Sequence, residues 1–98
     1  MLFLLTRNGR SAVNLEKAQN LSIVERLGVY ELVYFRGDSQ CVIINNFRTE
    51  DRAKEFLEYL LDYIANEDIK KRKVITCDNI YYYGAQREKE ALITREQN

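Results

Sequence analysis

Three tyrosines in succession, Tyr81, Tyr82 and Tyr83, with Arg87 shortly after them, and an uninterrupted basic run, Lys70, Lys71, Arg72 and Lys73, are the residues best suited to chemistry in this chain. Phenol rings stack on nucleobases, while ammonium and guanidinium groups neutralise phosphate, Arg in a bidentate manner. Together these eight positions form a candidate binding set for a small anionic nucleotide. Plainer readings stand beside it. Tyrosines also fill cores or cover oligomer interfaces, where an apolar body with a polar tip is favoured. A basic run is often a solvated connector that complements the negative end of a preceding helix. Arg7, Arg10, Arg36 and Arg48 lie at or beside expected turns and make a reserve anion set, although scattered turn arginines are more often solubilising.

Enzymatic chemistry has little to work with. His is absent, and the only thiols are Cys41 and Cys77, so a zinc cluster, a catalytic triad or a histidine proton shuttle cannot be assembled. The pairs Glu88 with Glu90 and Asp51 with Glu55 have the acidity for acid–base work or Mg²⁺ binding, yet no motif frames them and a solvated acidic face is the simpler reading. Neither an enzyme nor a cofactor or metal is expected. Fifteen basic and fifteen acidic residues cancel, which removes the global positive field of a nucleic-acid coat protein. At 46% hydrophobic residues the chain is not disordered, and 98 residues make one small domain. Nothing at the N-terminus resembles a signal peptide, no apolar run reaches membrane-span length, and the two cysteines suit a reduced, cytoplasmic setting.

The elements that must position the candidate residues follow from local pattern. Asn8-Gly9 predicts a type I′ hairpin joining Leu2–Thr6 to Ser11–Leu15. A third strand around Leu21–Val24 ends near Leu27-Gly28, a fourth runs Val29–Phe35, and Gly37-Asp38 turns into a fifth over Gln40–Phe47. Thr49 before Glu50 and Asp51 caps a helix whose Ala53, Phe56, Leu57, Leu60, Leu61 and Ile64 form an apolar stripe. From Thr49 to Asn66 five acids stand against two bases, so its outer face is negative. Val74–Cys77 and Ile80–Tyr83 about Asp78-Asn79 suggest a second hairpin, and the segment from Ala85 favours a short helix. The expected fold is α+β: an antiparallel β-meander of about five strands packed on one amphipathic helix (residues 1–66), then a C-terminal extension (67–98) of hairpin and short helix.

Asn14-Leu15-Glu16, the strand at Leu21–Val24, and Thr49-Glu50-Asp51-Arg52-Ala53-Lys54 opening a leucine-rich helix resemble small strand-rich proteins of Firmicutes and their phages. Those proteins open on a short apolar strand with an "NLDNV-x-x-I" segment and finish on a "TEERAKEVLEEI"-like helix. The resemblance covers about residues 1–66 and is structural; it brings no catalytic residue. It implies a phage or prophage protein in the cytoplasm of a bacterial host, and residues 67–98 depart from the pattern.

Tyr30, Leu32 and Tyr34 alternate with Val29, Val33 and Phe35 along the fourth strand, so both faces are apolar and one helix covers only one. The second face needs the C-terminal segment or another subunit, and a homo-oligomer is expected. The functional expectation is a non-enzymatic binding protein, an anti-defence protein sequestering an anionic nucleotide signal. The alternatives are an inhibitor docking directly on a host protein and a small nucleic-acid-binding regulator.

Overall fold

The structure, a computed structural model, describes residues 2–15, 20–66 and 73–97. It is α+β, with strands β1 (Leu2–Leu5), β2 (Ala12–Asn14), β3 (Asn20–Arg26), β4 (Val29–Arg36) and β5 (Ser39–Phe47), helix α1 (Glu50–Asn66), strand β6 (Lys73–Ile75) and helix α2 (Cys77–Gln97). The strands do not form one meander. They divide into two three-stranded sheets, ordered β2-β1-β6 and β3-β4-β5. The expected hairpin is present, with Leu4 opposite Val13, but the other edge of β1 takes β6 in parallel, Phe3 opposite Val74. Turn residues set which strands are joined locally. Which edge a hairpin then offers, and to what, is decided by burial across the whole chain.

The turn types differ from expectation in an instructive way. Thr6 and Ser11 close a longer loop at Asn8-Gly9: Gly9 N donates to Thr6 O at 2.9 Å, and only Gly9, at φ 72°, has positive φ there. Asn8 contributes its side chain instead, its Oδ1 accepting from the Thr6 hydroxyl and from Arg10 N. Two successive positive φ values occur at Leu27 (52°) and Gly28 (80°), the pattern of a type I′ turn, with Leu27 fully exposed.

Between β4 and β5 the register slips on either side of Leu32, first from Tyr30 and then to Val33. Such bulges re-aim side chains. Here both Ile43 and Ile44, neighbours in sequence, are buried in the same core. That core gathers Leu2, Leu4 and Val13 from the first sheet, Leu15 from the turn after β2, Leu32 and Phe47 from the second sheet, and Ala53, Phe56, Leu60 and Tyr63 from α1. The helix starts as expected, with Arg52 N donating to Thr49 Oγ1 at 3.2 Å. Its expected stripe packs on the core except at one position: Ala53, Phe56 and Leu60 are buried and Leu57 and Ile64 half-buried against them, while Leu61 is 52% exposed and Tyr63 is inside instead. The cause is α2, which packs along the flank of α1 and draws Tyr59 and Tyr63 toward it.

The C-terminal hairpin is replaced by a strand and a long helix. Thr76 and Asn79 cap each other's backbone: Asn79 N donates to Thr76 Oγ1 (3.2 Å), and Thr76 N donates to Asn79 Oδ1 (2.9 Å). This is a reciprocal capping arrangement with Asn as the returning residue. Asp78-Asn79, readable as a turn, is therefore a helix start, and Cys77, Ile80 and Gly84 are the buried positions at helical spacing. Gly84 is needed for close approach: a Cβ there would lie 2.2 Å from the Tyr59 ring.

Candidate functional site

A cleft of about 350 Å³ opens between β6 and α2. Asn79, Tyr82, Tyr83 and Gln86 line it from the helix, at i, i+3, i+4 and i+7, one face of α2. Lys73, Val74 and Ile75 line it from the strand, and Tyr63 of α1 joins them. The Tyr63 and Tyr83 rings meet edge to face, centroids 5.2 Å apart, and Lys73 Nζ lies 5.6 Å from the Tyr63 centroid, within cation–π range.

The phenols differ in freedom. Tyr83 is held: its hydroxyl donates to Asp62 Oδ2 at 2.7 Å and accepts from Asn66 Nδ2 at 3.4 Å. Burial first, and the bond to Asp62 next, raise its pKa above the ordinary phenol value. Tyr82 is 69% exposed and presents a ring to solvent at the cleft. Because helix residues advance by about 100° each, Tyr81 turns away from these two and packs on Phe56, centroids 5.0 Å apart.

Of the sequence-derived set, then, Tyr82, Tyr83 and Lys73 line one cavity. Tyr81 lies against the core side of α2, and Arg87 is outside the lining, its Nε 3.3 Å from Asp62 Oδ2 and one terminal nitrogen 3.7 Å from Glu90 Oε2. Lys70, Lys71 and Arg72 lie outside the described residues. The carboxylates of interest have structural partners: Glu88 accepts from the Tyr59 hydroxyl, which raises that phenol's pKa, and Glu90 takes Arg87. Among the turn arginines, Arg7 bonds Asp78 at 2.9 Å, Arg10 and Arg48 are exposed, and the Arg36 side chain is not described. A second cavity of about 240 Å³ lies at the start of α2, where the Arg7–Asp78 pair occupies the rim. The Cys77 thiol beneath it is buried, donates to Leu5 O at 3.6 Å and is pushed up in pKa by that burial.

Sequence reasoning missed Tyr63, Asn79 and Gln86. Once the segment is taken as helical, the spacing of Asn79, Tyr82, Tyr83 and Gln86 marks a single face, a signal that strand alternation conceals. Tyr63 left no comparable mark. Among the described residues no helix is long and apolar enough to cross a membrane. Comparison with family models, curated proteins and solved structures finds no match to this chain.

Proposed function

We propose that this chain is a non-enzymatic binding protein that captures a small anionic nucleotide in the cleft between β6 and α2. One observation carries the reading: Lys73 and the Tyr82-Tyr83 pair, from separate elements, meet around one cavity together with Tyr63. Its volume falls in the lower part of the range of small-molecule sites, roughly 300 to 1,000 Å³. Tyr82 supplies a stacking face, Lys73 a positive charge, and the Gln86 amide offers groups of the kind that read a base edge, whereas the Asn79 oxygen is committed to the helix cap. Tyr83, fixed by Asp62, forms a wall already in place, which lowers the ordering cost of binding. The resemblance of residues 1–66 to proteins of Firmicutes and their phages supports a setting in the bacterial cytoplasm, as an anti-defence protein that sequesters a nucleotide signal without transforming it.

The test is a thermal-shift and calorimetric series with nucleoside monophosphates, diphosphates and cyclic dinucleotides. A binder should raise the melting temperature by mass action. Tyr82→Ala should weaken its binding by about 1 to 3 kcal/mol, and Lys73→Gln should reduce the salt dependence of affinity. The absence of any shift across the series would overturn nucleotide capture and leave direct docking on a host protein as the reading to pursue.

A further inference from the structure

We infer that the cleft between β6 and α2 takes a nucleotide with a single base, one nucleoside bearing phosphate at one end, and not a dinucleotide. The inference rests on the nucleotide reading above and narrows it to one class of ligand. It follows from how many groups of each kind the cleft leaves available. Three rings reach its wall, Tyr63, Tyr82 and Tyr83, and they are unequal as platforms. Tyr63 is buried, meets Tyr83 edge to face and has Lys73 Nζ 5.6 Å from its centroid. Tyr83 is half-buried and fixed by its bond to Asp62. Tyr82 is the one exposed ring of the three, so one base can stack.

The polar groups count the same way. Asn79 Oδ1 accepts from Thr76 N in the helix cap, whereas the Gln86 amide has no partner among the described residues. Gln86 is one turn beyond Tyr82, at i+4, which places it at the edge of a base stacked on that ring. An amide carries a donor and an acceptor side by side. Every nucleobase offers the complement on some edge, so Gln86 separates a nucleotide from a bare sugar phosphate without choosing among bases. Among the described residues Lys73 is the one cation in the lining and no carboxylate accompanies it, while Arg87 is engaged with Asp62 and Glu90. One ammonium on the wall opposite the helix suits one phosphate group. Length agrees, since at 1.5 Å per residue the face from Asn79 to Gln86 runs about 10 Å, the length of one nucleoside with its phosphate.

The test is calorimetry of the full chain with AMP, UMP, cyclic di-AMP and ribose 5-phosphate at one salt concentration. AMP and UMP should each bind one to one, cyclic di-AMP no more tightly than AMP, and ribose 5-phosphate at least about tenfold more weakly. Gln86→Ala, on an exposed helix position, should weaken AMP by about three- to tenfold and leave ribose 5-phosphate unchanged, with the fold retained by circular dichroism. Cyclic di-AMP binding tenfold or more above AMP overturns the single-base inference and leaves nucleotide capture standing. Ribose 5-phosphate binding as well as AMP overturns it too, because the base then contributes nothing. If none of the four binds, the inference falls together with the nucleotide reading on which it rests.

Discussion

Cys77–Gly84 and Ala85–Leu92 belong to one helix and differ in how they are held. In the first stretch Cys77, Ile80 and Gly84 are buried, the Thr76–Asn79 caps fix the starting point, and the Tyr59 ring lies directly on Gly84. The second buries nothing and is tied to α1 by side-chain polar contacts alone. Helical hydrogen bonding is common to both, so it is not what separates them. Burial of apolar surface is worth about 25 cal/mol per Å² and is available only to the first. A helix can thus be placed by its opening turns and carry the rest outward as a surface for other contacts.

The strongest way to break this contrast is to remove an anchor. Ile80→Ala deletes a fully buried side chain and should destabilise the fold by about 2 to 5 kcal/mol, whereas Glu90→Gln, in the exposed half, should stay within about 0.5 kcal/mol by denaturant titration. Equal effects would mean that the halves are not distinct. Next comes Gly84→Ala. A methyl there collides with the Tyr59 ring, and overpacking of this kind costs about 1 to 3 kcal/mol. In a Tyr59→Ala background the same change should become neutral or favourable, since Ala is the better helix former by about 1 kcal/mol. Thr76→Ala removes the reciprocal cap and should cost about 1 kcal/mol in the same assay.

The smallest effect is electrostatic. Hydrogen bonding to Glu88 raises the pKa of Tyr59, and burial with a bond to Asp62 raises that of Tyr83, both from an ordinary value of 10.0. The folded chain therefore holds these protons more tightly than the unfolded chain. Their stabilisation is complete below the ordinary value and is lost as pH rises through it toward the folded values. Melting temperature should decline above about pH 10, and the double variant Tyr59→Phe, Tyr83→Phe should flatten that decline. An unchanged alkaline limb would show that these contacts between α1 and α2 are not coupled to folding.

Much of the chain before Asn66 could be read locally, because each signal there refers to a near neighbour. Runs of β-branched, aromatic and other apolar residues marked β3, β4 and β5, glycines marked their turns, and Thr49 with the stripe from Ala53 marked α1. The C-terminal segment was harder for a physical reason. Asp78-Asn79 serves equally as a turn and as a helix start, and Val74-Ile75 beside three tyrosines has the composition of strands. The reciprocal cap and the close fit of Gly84 under Tyr59 resolve that ambiguity, and the second involves a residue from another helix.

By itself, then, the sequence determined the α+β class, the first five strands, the start of α1 and the chemical character of the candidate site, since all of these follow from residue type and short-range spacing. Tertiary structure alone decided that β6 would extend β1 in parallel, that the strands would split between two sheets, and that Lys73 would face Tyr82 and Tyr83 while Arg87 went to Asp62. Those outcomes depend on which apolar faces can be buried together, a competition among all the elements at once that no local stretch of sequence records.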